Sequence, residues 1–137
     1  EFGKIEAYVN TDKPSNVKLM KRLPKEDYDK MVGACDIGMI FLDYRFTIPN
    51  FPSRLLSYMQ AKIPVLAVTD PNTDIGKVIV EGGFGWWVKN NSVDEFSDKI
   101  MECLSCEVKN IQEKEYRYLE EYYSTSRAYR VIRRHFK

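Results

Sequence analysis

Two short apolar runs, Ile37–Leu42 and Val65–Val68, flank a segment whose apolar positions Leu55, Leu56 and Met59 recur at helical spacing. The runs read as buried strands and the segment as a helix with one buried face. Ser53 is placed to cap that helix, because a hydroxyl there can accept from an amide of the first turn. Pro64 ends it. Upstream, Ile5–Val9 and Val17–Met20 read as two further strands, with Lys21-Arg22-Leu23 leading out of the second. Pro24 then suits the first turn of a helix, Glu26 and Asp27 favour its positive end, and Tyr28, Met31 and Val32 give it an apolar face. Downstream, Asp70–Asp74 is a turn cluster. Asp74 is placed to cap a short helix, Ile75–Glu81, with Ile75, Val78 and Ile79 inward, which Gly82-Gly83 stops. Phe84–Val88 reads as an aromatic strand. Asn91-Ser92 opens a helix whose expected inward set is Val93, Phe96, Ile100, Met101 and Leu104. From Gln112 onward two aromatic, charged helices are expected, Glu113–Tyr123 and Ser126–Phe136. Strands alternating with helices predict an α/β, Rossmann-like three-layer domain: a doubly wound, mostly parallel sheet, followed by C-terminal helices over 112–137.

The unit from Ile37 to Val68 is strand, loop, helix, strand, a crossover that makes its two strands parallel and its path right-handed. Ligands of open α/β sheets sit beyond the carboxyl ends of the strands. The loops Asp43–Phe51 and Thr69–Thr73 both lie at that edge. A helix starting near Ser53 turns free amides and a positive dipole end into the same crevice, which is chemistry suited to a phosphate.

Composition narrows the partners. The 137 residues are 44% hydrophobic and 30% charged, an ordinary balance for one globular domain. A formal net charge of +1 gives no bulk attraction to nucleic acid or to an anionic membrane. No apolar run reaches the roughly 20 residues of a spanning helix, and no signal-peptide pattern is present, so a cytoplasmic setting is expected. The start at Glu1-Phe2-Gly3 reads as part of a larger protein. Cys35, Cys103 and Cys106 are three cysteines; Cys103 and Cys106 have CxxC spacing but fall late in a helical pattern, where ordinary helix positions are the expectation over a metal or redox pair.

The stretch Phe51-Pro-Ser-Arg-Leu-Leu-Ser-Tyr-Met-Gln-Ala-Lys-Ile-Pro-Val65 resembles a motif of the form F-P-S-K-L-L-E-Y-M-A-x-G-x-P-V. That motif marks the C-terminal, nucleotide-sugar-binding domain of family 4 (group 1) glycosyltransferases of the GT-B fold. Asn16-Val-Lys-Leu, the Tyr28 helix with Ala34-Cys-Asp-Ile-Gly, and Gly83-Phe-Gly-Trp-Trp-Val agree with it, so the resemblance reaches to about Leu104. It implies half of a GT-B fold over 1–137, shortened on its N-terminal side. It further implies a hexosyltransferase-type enzyme that moves sugar from a nucleoside-diphosphate sugar to a saccharide or lipid-linked acceptor, in bacterial surface polysaccharide synthesis. The donor diphosphate would lie on the helix start, at Ser53, Arg54 and Leu55, with Asn50 and Phe51 in the loop before it. The base would meet Lys21, Arg22 and Leu23, and the ribose would meet Ser57. No cofactor or metal is implied, since helix dipole and basic residues stand in for a cation. The catalytic base would come from the missing N-terminal GT-B domain, so the fragment alone is expected to be inactive and no catalytic residue is assigned within it. Two departures stand out: the acids of the usual E-x7-E pattern fall on Pro49 and Ser57, and the glycine before Pro-Val is Lys62.

Blander roles compete at each position. Ser53 suits a plain N-cap, Arg54 a solvated charge, and Tyr58, Met59, Trp86 and Trp87 the core. Asp43, Tyr44 and Arg45 lie where a sugar would sit, yet loops are commonly polar without function, and the same holds for Asp70 and Thr73. The lone His135 has no companion acid or nucleophile nearby in sequence. The arginine-rich last helix reads first as a solvated helix returning to the missing domain, and second as a peripheral contact with the inner face of the membrane. The alternative function is a non-catalytic GT-B-like nucleotide-binding or scaffold domain that has lost its acids. A receiver-like domain is disfavoured, because Ile5–Val9 is followed by Asn10 and Thr11 where clustered acids belong.

Overall fold

The computed structural model describes residues 2–45, 48, 50–89 and 92–136. Three parallel strands form its sheet: β1 (Gly38–Phe41), β2 (Val65–Val68) and β3 (Gly85–Val88), in spatial order β1-β2-β3. Gly38 pairs with Val65 and Val65 with Gly85, so the three runs lie level across the sheet. The crossover from β1 to β2 is α3 (Arg54–Ala61) and that from β2 to β3 is α4 (Ile75–Gly82). A strand order that advances in one direction with crossovers of one hand puts both helices on the same face.

The period of two along each strand sorts the core. Ile40, Val65 and Ala67 point to one face and are buried with Leu55 and Met59 of α3, Ile75 and Ile79 of α4, Phe84 and Leu119. Leu66, Trp86 and Val88 point to the other face, where Cys103, Phe96 and Ile100 of α5 (Val93–Ser105) cover them. Helix, sheet and helix make the three expected layers. Each fully buried side chain of the Leu55 or Ile79 kind contributes about 1.5–3 kcal/mol. Trp86 and Trp87 are packing residues as expected: Trp87 lies over Gly76 and its indole Nε1–H donates to Thr69 Oγ1 at 3.0 Å.

Around this centre the structure corrects several expectations. Residues 5–9 are not a strand but the middle of α1 (Phe2–Asp12). Phe2, Ile5 and Tyr8–Val9 recur every three or four residues, and that period prevails over the Ile5-Ala7-Val9 alternation. Val17–Met20 form no strand: among the described residues none pairs with them, and the sheet runs β1-β2-β3 without them. Helix α2 (Lys25–Gly33) begins after Pro24 and buries Val32. In α5, Ser92 accepts from the Glu95 amide as an N-cap, while Asn91 lies outside the described residues. The inward set of α5 is Phe96, Ile100 and Cys103; Val93, Met101 and Leu104 face outward. Cys103 is thus a core residue whose thiol burial pushes up to about 11, and Cys106 is exposed.

The C-terminal helices start earlier than expected. α6 (Val108–Tyr118) runs into a π-helical segment, Leu119–Tyr123, and α7 (Thr125–His135) follows after Ser124, whose hydroxyl accepts from the Arg127 amide. His135 is exposed in the last turn of α7.

Candidate functional site

The carboxyl end of β1 and the start of α3 enclose a crevice of about 270 Å³, lined by Ile40, Phe41, Leu42, Asn50, Pro52, Ser53 and Arg54. The apolar run of β1 forms one wall. The other is the Pro-Ser-Arg turn, where Pro52 lies just outside the helix that begins at Arg54. Asn50, Ser53 and Arg54 are therefore brought together, at the sheet edge where the α/β topology places ligands.

Ser53 holds the N-cap position, but with φ −59° and ψ −21°, and its hydroxyl accepts from no amide of α3. A capping hydroxyl needs an extended backbone. Here the turn is closed by main chain instead: the Leu55 amide donates to the Pro52 carbonyl at 3.0 Å and the Leu56 amide to the Ser53 carbonyl at 3.1 Å. The simple cap expected of Ser53 is absent. The Leu55 amide, expected to face a phosphate, is engaged, and the Leu55 side chain is fully buried. From α3 and its cap, Ser53 and Arg54 line the crevice. An arginine beside a helix start favours an anion through charge and through charge-assisted hydrogen bonds. Burial pushes the Tyr58 phenol up and Arg54 partly offsets this, while the phenol donates to the Met39 carbonyl at 3.1 Å.

The remaining predicted positions spread out. Phe51 turns away from the crevice and packs on Tyr123 of the π-helical segment, ring centroids 5.6 Å apart. Ser57, one turn along α3, lines a separate groove of about 300 Å³ with Asp29, Val32 and Gly33 of α2 and Gln60 and Ala61. Lys21, Arg22 and Leu23 lie in the coil before α2, outside the crevice lining. Pro49, the position matching the first acid of the motif, lies outside the described residues. Asp43 and Arg45 pair with each other: the Arg45 amide and Nε donate to Oδ1 at 2.9 Å, and Nη2 donates to Oδ2 at 2.6 Å. These bonds hold the Asp43 carboxyl well below the usual range.

The second loop at this edge is built around Asp70. Its buried carboxylate accepts from the amides of Asn72 and Thr73 at 2.8 and 2.9 Å and from the Thr73 hydroxyl at 3.3 Å. The Asp-Pro-Asn-Thr spelling is the sequence signal for such a turn, in which an aspartate bonds amides two and three residues on. Asp70 and Thr73 thus shape the loop after β2, while Asp74, expected to cap α4, makes no side-chain cap bond. Periodicity gave no hint of the Phe51–Tyr123 contact, because it joins residues 72 positions apart. Among the described residues no three His, Cys, Asp or Glu side chains gather in a way that could hold a metal ion.

The family described as "Glycosyl transferases group 1" has a sequence model that matches residues 6–124. Over 82 residues the chain is 27% identical to a protein of Pseudomonas aeruginosa named "Probable glycosyltransferase WbjE". That stretch is 60% of the chain and 20% of the relative, so the chain spans about a fifth of the length of the curated relative it matches.

Proposed function

The chain belongs to the group 1 glycosyltransferases, and from that premise we propose that it is the donor-binding part of an enzyme that transfers sugar from a nucleoside-diphosphate sugar. The observation that carries this reading is the crevice between the end of β1 and the start of α3, which Asn50, Ser53 and Arg54 line together. The donor diphosphate sits there, held by the Ser53 and Arg54 amides, the helix dipole and the Arg54 side chain. Asn50 and the Ser53 hydroxyl supply neutral hydrogen bonds to its oxygens. The nucleoside extends over α3 toward α2, where Ser57 offers one hydroxyl to the ribose and the segment 21–23 meets the base.

The reaction breaks the bond between the anomeric carbon and the diphosphate oxygen, so negative charge grows on the leaving diphosphate. Arg54 and the helix start stabilise that charge more strongly in the transition state than in the bound donor, which is what accelerates the step. The acceptor hydroxyl, on a saccharide or lipid-linked sugar, loses its proton to a base from a domain outside this chain. The chain alone binds donor without transferring it, and the pathway is surface polysaccharide synthesis.

One observation favours a second reading. The position that carries an acid in the family motif is Ser57, whose single hydroxyl cannot match a carboxylate that bonds both ribose hydroxyls. A non-catalytic nucleotide-binding domain follows if that loss abolishes turnover. The test is a thermal-shift panel on the full-length protein with UDP, GDP, ADP, CMP and their sugar conjugates. One diphosphate raises the melting temperature, Ser53→Pro removes the shift, and Ser57→Ala keeps most of it. Proline suits the φ of −59° at this position while deleting one amide donor. Donor binding without transfer or hydrolysis in any acceptor extract would select the second reading. No shift with any nucleotide would reject both.

A further inference from the structure

Lys62 holds a backbone conformation that suits another residue. Among the described residues only Lys13 and Lys62 combine a side chain with a positive φ, 44° and 57°. The turn at Lys62 is closed by main chain alone: its amide donates to the Met59 carbonyl and the Ile63 amide to the Tyr58 carbonyl, each at 3.2 Å. Glycine closes such a turn without strain, so the backbone gives no reason for lysine here. An outlier kept where the fold does not require it points to work done by the side chain.

The Lys62 ammonium lies 4.5 Å from the Tyr116 ring centroid, which holds it over a groove of about 410 Å³ between the end of α3 and α6. Lys62 leads into the amino end of β2, so this groove and the crevice at Ser53 lie at opposite ends of the sheet. The 8 residues of α3 hold the two about 12 Å apart. Helix α6 supplies the rest of the lining. Lys109, Gln112, Glu113, Tyr116 and Arg117 recur at i, i+3, i+4, i+7 and i+8, one face of a helix, while Ile111, Glu115 and Leu119 take the core side.

Charge and hydrogen-bonding capacity identify the ligand. Three cations and one acid line the groove. Lys62 and Lys109 have no acidic partner among the described residues, and the Glu113–Arg117 pair, at 3.9 Å, is beyond hydrogen-bond reach. Lys109 and Arg117 start about 12 Å apart along α6, so the cations suit anionic groups spaced along a chain better than one small anion. Glu113 repels a bare phosphate but accepts from hydroxyls, and the Gln112 amide and Tyr116 hydroxyl bond to donors and acceptors alike. A sugar chain bearing carboxylates matches the whole set. Nucleic acid does not: positions 1–124 hold 16 basic and 20 acidic residues, and so offer no basic track to a phosphate backbone.

We propose that the groove between α3 and α6 is a second binding site, for an acidic oligosaccharide whose carboxylates meet Lys62, Lys109 and Arg117 and whose hydroxyls meet Gln112, Glu113 and Tyr116. That the ligand is a saccharide rests on the reading of the chain as part of a sugar-transferring enzyme; that it is an anion rests on the groove alone.

The test is calorimetric titration of the full-length protein with trigalacturonate, with the neutral maltotriose and with pyrophosphate. Trigalacturonate binds, maltotriose binds at least tenfold more weakly, and raised salt weakens only the first. Lys62→Gly, which relaxes the turn and keeps the fold, weakens trigalacturonate roughly three- to fivefold, as does Lys109→Gln, and the pair roughly tenfold or more. Lys18→Gln, on another segment, changes nothing. The pair also leaves the nucleotide-induced rise in melting temperature intact, so the two sites fail separately. A protein that binds trigalacturonate through these lysines but no nucleotide keeps this site and loses the donor reading; the reverse overturns this site. No trigalacturonate binding, equal binding of maltotriose, or indifference to the lysine pair also overturns it. Pyrophosphate that binds as tightly as trigalacturonate and weakens on the same variants would show a plain anion site and overturn the saccharide.

Discussion

Glu115 sits 0% exposed in α6, and neither carboxylate oxygen has a hydrogen-bond partner among the described residues. One turn away on each side, Ile111 and Leu119 pack into the main core. Burial pushes its carboxyl up from 4.5 to about 9, so the folded chain holds a proton that the unfolded chain releases. Stability from this site is therefore complete below about pH 4.5 and falls as pH rises toward 9, by on the order of 1 kcal/mol per pH unit. Urea midpoints measured from acid to neutral pH should decline for the native chain and flatten for Glu115→Gln, with Glu115→Leu the most stable at neutral pH. A flat native profile would contradict the burial. Lys62 is the second residue that breaks a local rule. It ends α3 with φ 57°, in the left-handed region where glycine belongs, and its ammonium lies 4.5 Å from the Tyr116 ring centroid. The motif's glycine at this point has its physical reason in that φ. Lys62→Gly should be more stable than Lys62→Ala by about 1 kcal/mol in thermal unfolding, because alanine keeps the strain and loses the ring contact.

At the scale of elements, the level register of β1, β2 and β3 depends on close backbone approach. A Cβ at Gly85 would lie 2.0 Å from the Val65 carbonyl oxygen, so Gly85→Ala must push β3 off β2. It should cost at least the ~1–3 kcal/mol of an overpacked core, read as a lower urea midpoint with an unchanged nucleotide preference. The elements that sequence located best were those with two concordant signals. For α3 the Leu55, Leu56, Met59 spacing agreed with Pro52 and Pro64 at its ends; for β2 the apolar run agreed with Pro64 before it and Asp70 after it. Where one signal stood alone it misled. Ile5–Val9 fits both periods, and α5 carries apolar residues on more than one side, so the choice of Phe96, Ile100 and Cys103 as its inner face was made by the sheet they cover. The π-helical segment has no spelling in the sequence; its Tyr123 packs on Phe51 and ties the C-terminal helices to the loop beside the crevice, while Tyr118 at the end of α6 packs on Phe84.

For the whole molecule, the three-layer α/β plan followed from alternation of strand and helix. That plan carries the site with it, because a parallel sheet fixes the edge at which loops and helix starts meet. Asn50, Ser53 and Arg54 were legible for this reason. The engaged Leu55 amide, the turned Phe51 ring and the placement of Ser57 toward α2 were not, since each depends on a three-dimensional neighbour and not on spacing along the chain. Among the described residues no helix is long and apolar enough to cross a membrane. The chain thus presents a crevice at the sheet edge and, apart from it, a basic groove between α3 and α6.

The most direct test of the central claim is a titration of the ¹⁵N-labelled chain with the nucleoside diphosphate that stabilises the full-length protein, followed by amide chemical shifts. The account predicts that the Ser53 and Arg54 amides move most, Asn50 and Leu42 follow, and the Leu55 amide, already bonded to Pro52, moves little. Largest shifts around Lys62, Lys109 and Arg117, which line a groove between α3 and α6, or saturable binding with the Ser53 and Arg54 amides unmoved, would contradict it.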